Sequence, residues 1–179
     1  LPTFYNFDSF AVAAEGLDVD RDVRSWAALL DPQWAGRVSL VDEPAIGLFD
    51  LAMALSTSGQ MEFEDMGNMS VAEIDRLIEH GKSLIHAGHL SAFWLRADEP
   101  VERFLRGELK LASIWSPTLV DMKRLGVDAC QARPVEGYRA WHGGMCLSRL
   151  LQGDVGAGKT LVAMLALLIA VGAGGRGGG

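Results

Sequence analysis

Gly153-Asp154-Val155-Gly156-Ala157-Gly158-Lys159-Thr160 has the spacing G-x-x-x-x-G-K-T, the pattern of a loop that wraps a phosphate. Gly153, Gly156 and Gly158 let backbone N–H groups curl around phosphate oxygens, and Lys159 supplies a point charge. The Thr160 hydroxyl is the candidate ligand to Mg²⁺. ATP and Mg²⁺ are thus the groups that an intact enzyme carrying this loop would use. Turnover also needs an acid on a second strand to hold the metal and a residue to orient water. The sequence after Thr160 offers neither, so weak or absent ATP binding is expected. No Ser-His-Asp, Cys-His or H-E-x-x-H arrangement stands out elsewhere, and the body of the chain reads as non-enzymatic, with no cofactor.

A second set of residues suits a different chemistry. Asp42-Glu43, Trp115-Ser116, Trp141-His142 and Tyr5-Asn6-Phe7-Asp8 all fall beside predicted strands, where α/β sheets gather ligands. Carboxylates next to indole and phenol faces make a cage for an organic cation: the ring quadrupole attracts ammonium and the acids hold it by charged hydrogen bonds. Asp42, Glu43, Trp115, Trp141, Tyr5 and Asp8 are the candidate binding residues. Plainer roles stand beside this one. Any single tryptophan can be a packing residue, and Asp42-Glu43 can be charge at a helix N-terminus, worth about 0.3–1 kcal/mol. Trp26 and Trp34 are assigned to packing. His86 and His89 are spaced for one helix face but lack an obvious third metal ligand. Cys130 and Cys146 read as buried free thiols, pairing being the alternative.

The elements that must position these groups alternate. Residues 1–12 are aromatic-rich and alternate as a strand does. A polar connection (15–22) precedes a short helix capped by Ser25, which Asp31-Pro32 breaks. A strand over 37–41 leads to a helix opened by Pro44 and stopped near Gly59. Ser70 and Glu73 form a capping box ahead of a helix that ends near Gly88. Strands follow at 91–95, 109–115 and 129–133, with helices over 100–106 and 117–125 between them. Residues 137–144 read as a glycine-rich turn region and 145–152 as a strand entering the phosphate loop. The alternation predicts an α/β fold with a central sheet covered on both faces. Residues 172–179 are low-complexity and expected to be disordered.

The chain has 179 residues and a net charge of −7, which suits one domain or a domain plus a fragment and disfavours general nucleic-acid binding. Residues 1–147 hold 13 Lys and Arg against 22 Asp and Glu, whereas residues 148–179 hold 3 against 1. An acidic body joined to a slightly basic tail suggests two origins. The apolar run 161–171 is too short to span a bilayer and reads as a buried helix. The chain opens on Leu, and no signal peptide is read at its start.

The run Ser25-Trp26-Ala27-Ala28-Leu29-Leu30-Asp31-Pro32-Gln33-Trp34-Ala35-Gly36-Arg37-Val38, with Val41-Asp42-Glu43-Pro44, Gly107-Glu108, Ile114-Trp115-Ser116 and Glu136-Gly137-Tyr138, resembles the solute-binding proteins of ABC importers, of the spermidine/putrescine-binding type. The resemblance covers residues 1–148 and implies one lobe of a type II periplasmic-binding-protein-like fold, with residues 3–12 as a hinge strand. It also implies a small polyamine-like solute, an ABC permease as partner and a periplasmic location, the alternative being cytoplasmic. Asp42 and Glu43 fall where that family puts a carboxylate on a polyamine nitrogen, and Trp115 and Trp141 where it puts aromatic walls. Gly143 stands where polyamine binders tend to carry an acid, which leaves room for a shorter amine or a different solute. Residues 149–171, through Leu150-Leu151-Gln152-Gly153-Asp154-Val155-Gly156 and the rest of the loop, resemble the first motif of the RecG branched-DNA helicase. Taken together the two resemblances imply a composite chain joined at residues 146–150, as a mis-joined assembly or gene prediction would give. The alternative function is then a fragment of an ATP-dependent helicase, or no activity of the chain's own.

Overall fold

Two sheets organise the described residues. The computed structural model describes residues 2–144. The predicted strand and helix at 145–171 and the tail at 172–179 lie outside them. The described residues divide into two compact units, one of Phe7–Arg139 and one of residues 2–6 with 140–144. Strands β1 (Pro2–Asp8) and β7 (Arg139–Gly144) pair in a two-stranded sheet. The sequence reads 137–144 as a turn because of its glycines, yet residues 139–144 are strand. Their partner is the opposite end of the described chain, so local composition cannot announce the pairing.

The larger unit is built on a five-stranded sheet in the order β4-β3-β5-β2-β6. Its strands are β2 (Phe10–Ala13), β3 (Val38–Val41), β4 (Leu90–Trp94), β5 (Leu111–Ser113) and β6 (Ala129–Gln131). β3 runs parallel to both β4 and β5, while β2 is antiparallel to β5 and β6. The single strand read over residues 1–12 is therefore two strands in two sheets. The break falls at Ser9, which is buried and donates its hydroxyl to the Ala132 carbonyl, 2.7 Å away.

Side-chain alternation divides the core between the two faces of this sheet. Phe10, Val12 and Leu111 face a large cluster with Trp26, Leu29, Leu51, Leu55 and Leu77. Ala11 and Ala112 face a smaller one with Val101, Phe104, Leu109, Ile114 and Met122. The first face is covered by α2 (Phe49–Thr57), α3 (Val71–His86) and the 3-10 turn Trp26–Leu30; the second by α4 (Asp98–Leu105) and α5 (Ser116–Arg124). A one-turn helix, α1 (Val19–Asp22), interrupts the connection after β2. The result is the α/β arrangement expected from the sequence, with helices on both faces of a central sheet.

Trp26 packs edge-on against Phe10 at 5.4 Å between ring centroids, and its indole N–H donates to the Gly137 carbonyl at 2.9 Å. Trp34 is buried as well, so both of these tryptophans are packing residues. His89 lies past the end of α3 instead of on its face; it is buried, and its Nε2 sits 2.8 Å from the Leu29 carbonyl. Cys130 is a half-buried free thiol whose pKa burial raises; Cys146 lies outside the described residues.

Candidate functional site

Because β3, β4 and β5 are parallel, their carboxyl ends reach one edge of the sheet. Antiparallel β2 starts where β5 finishes, with Phe10 opposite Ser113, so the Asp8-Ser9 break joins the same edge. Crevices beyond such strand ends are where open α/β sheets bind ligands. The loops there are tied together. Asp42 N–H donates to the Trp94 carbonyl at 2.6 Å. The chain then turns in a π-helical turn, Pro44–Leu48, that leads into α2. Gly47 permits this turn: a Cβ built there would overlap the Val41 carbonyl oxygen.

Two indoles meet at this edge. Trp94 is buried and donates through Nε1 to the Ser113 carbonyl at 3.1 Å. Half-buried Trp115 packs edge-on against it, with centroids 4.9 Å apart and planes at 77°. Trp94 was not singled out in the sequence, where L-S-A-F-W reads as ordinary strand.

Beneath them lies a buried polar cluster. Asp8 Oδ1 accepts the Ser116 hydroxyl at 2.5 Å and the Ser116 N–H at 3.2 Å, which anchors the first residue of α5. Asp50, fully buried on α2, accepts from the Ser113 hydroxyl at 2.7 Å and pairs through Oδ1 with Nη1 of Arg139. Burial pushes the Asp50 carboxyl up from its ordinary pKa, against the pull of the Arg139 guanidinium. Among the described residues the Nε and Nη2 atoms of Arg139 have no hydrogen-bond partner. Asp50, Ser113 and Arg139 escaped the sequence reading. The one available signal was Asp50 itself, a lone acid in the apolar helix stretch F-D-L-A-M-A-L.

The candidates from the sequence divide as follows. Asp42 is exposed, and Glu43 is half-buried with an Oε2 that has no hydrogen-bond partner among the described residues. Both line a groove of about 260 Å³ with Leu40, Leu51, Ile78 and Phe93. Trp115 is not part of that lining. Asp8 is buried and bonded to Ser116. Tyr5, on β1 in the other unit, is 74% exposed. The Trp141 side chain, and Gly153, Gly156, Gly158, Lys159 and Thr160, lie outside the described residues. Among the described residues no group of three or more His, Cys, Asp or Glu is placed to hold a metal, and no helix is long and apolar enough to cross a membrane.

No protein-family model matches the sequence, and no curated protein does. Solved structures do resemble the fold. The spermidine/putrescine ABC transporter substrate-binding protein PotD from Streptococcus pneumoniae, in complex with calcium and HEPES, aligns over 79% of this chain and 40% of its own, with a TM-score of 0.60 and 13% identity. An ABC transporter from Clostridium perfringens aligns over 78% and 40%, with a TM-score of 0.58 and 12% identity. PBP MotA from Agrobacterium tumefaciens, in complex with glucopine, aligns over 73% and 39%, with a TM-score of 0.58 and 16% identity. This chain thus spans about 40% of the length of the proteins it resembles, and its fold is that of one lobe of a periplasmic binding protein.

Proposed function

We propose that the chain is a partial substrate-binding component of an ABC importer, taking a small cationic solute such as a polyamine and delivering it to a permease outside the cytoplasm. The observation that carries this reading is the carboxyl edge of the sheet, where the Trp94–Trp115 indole pair and exposed Asp42 end neighbouring strands. Indole faces and a carboxylate are complementary to an alkylammonium ion. The acidic balance of residues 1–147 adds long-range attraction for a cation. That PotD is a spermidine/putrescine protein supports the amine, while the glucopine held by MotA marks how far solutes on this fold range. In this reading Trp115 and Asp42 touch the solute, and Asp8 positions the loop that carries Trp115. One lobe covers a solute on one side only, so the affinity of the isolated chain is low.

Intrinsic tryptophan fluorescence of the full chain, titrated with putrescine and spermidine, tests the proposal. A saturable change is expected, lost in Trp115→Ala and weakened about tenfold in Asp42→Asn, as befits one charged hydrogen bond. No response to either amine, or an equal response to an uncharged polyol, overturns it.

A further inference from the structure

Trp94 reaches two parts of the carboxyl edge at once. Its carbonyl accepts the Asp42 N–H at 2.6 Å, and its ring packs edge-on against Trp115. The residue itself is fixed from several sides. Its backbone is in register with Val41 of β3. Its indole N–H is held by the Ser113 carbonyl at 3.1 Å, and the Ser113 hydroxyl is in turn donated to Asp50, the partner of Arg139. Polar contacts therefore run without a break from the buried ion pair to this indole.

Trp115 is steadied by its neighbours. Its carbonyl accepts the Thr118 N–H at 2.9 Å, which fixes its backbone at the start of α5, while its half-buried ring leans on Trp94. The two planes stand at 77°, the edge-to-face arrangement that ring quadrupoles favour. A cation is attracted over a ring face and not at its edge, so the tilt of Trp115 decides what an ammonium meets. At 2% exposure Trp94 offers a ligand almost no surface, which leaves support as its contribution.

We infer that Trp94 is a positioning residue of the solute site: without touching the solute, it sets the plane of Trp115 and the placing of that ring against Asp42. The inference rests on the amine-binding reading of this edge. Trp26 supplies a matched comparison. It too is buried, donates its N–H to a carbonyl at 2.9 Å and packs edge-on against a ring, but that ring is Phe10 of the core cluster.

The test is fluorine NMR of the full chain with its five tryptophans replaced by 5-fluorotryptophan, the Trp115 signal being assigned from Trp115→Phe. One narrow Trp115 line, shifted by putrescine, is expected from the parent. Trp94→Phe keeps a ring and loses the N–H; Trp94→Leu loses both. The Trp115 line should broaden or split in each. Putrescine affinity should weaken about threefold in the first and about tenfold in the second. Trp26→Phe should leave line and affinity as in the parent. Where Trp94→Leu does not fold, Trp94→Phe decides. A Trp115 line that stays narrow in the folded Trp94 variants, or that broadens equally in Trp26→Phe, overturns the inference, as does unweakened affinity. A parent that ignores putrescine overturns the amine reading instead, and the line shape then decides alone whether Trp94 holds Trp115.

Discussion

Asp50 and Arg139 form an ion pair whose members are 0% and 8% exposed. Removing one member of such a pair strands the other charge in a low-dielectric interior, which costs about 3–5 kcal/mol. Asp50→Ala should therefore lower the unfolding free energy by about that amount in a urea titration. Replacing both partners together with apolar residues, Asp50→Leu with Arg139→Met, should recover much of the loss, because no charge is then left alone. A double variant as unstable as the single would show that the pair acts through its shape. Gly47 is a second sensitive position. Gly47→Ala forces a methyl against the Val41 carbonyl and should cost about 1–3 kcal/mol as an overpacked contact. Its effect should centre on the Asp42-Glu43 loop, read as amide shifts there.

The capping box of α3 was legible in the sequence because both of its residues are local. Ser70 Oγ accepts from Glu73 N–H at 3.3 Å, and Glu73 Oε2 accepts from Ser70 N–H at 2.7 Å. The Ser70 hydroxyl bond, then the N–H groups of Glu64 and Ser70, hold the Glu73 carboxyl down from 4.5 to about 2. A carboxylate depressed in the folded state stabilises fully above its unfolded value and loses that contribution as pH falls through the folded one. Glu73→Gln should thus be less stable than the parent above pH 4.5, and the gap should close as pH falls toward about 2. Chemical denaturation at several pH values checks this, and a gap that stays constant with pH contradicts it. What sequence alone placed well were elements with such local marks: the Ser25 cap, the helix behind Pro44, the stops at Gly88 and Gly126. It failed where the deciding partner is remote. The split at Ser9 depends on Ala132, and β7 depends on β1. The candidate site behaves likewise. Asp42, Glu43 and Trp115 stand at strand ends, as their neighbours in sequence imply. Asp50, Ser113 and Arg139 come from three elements, and only the folded sheet brings them together.

At the scale of the whole molecule, the N-terminal strand of the larger unit takes an interior place in its sheet. β2 lies between β5 and β6, which begin at Leu111 and Ala129. Its backbone groups and its Phe10 and Val12 side chains are therefore completed only by chain made much later. Synthesis runs from the N-terminus at about 5–20 residues per second. For several seconds, then, a ribosome exposes F-A-V-A with neither neighbour present. Arrested translation before Leu111 should leave this segment open to proteases and holding chaperones, and release past Gln131 should close it. Strand order thus makes this unit a late folder by vectorial timing, whatever its final stability.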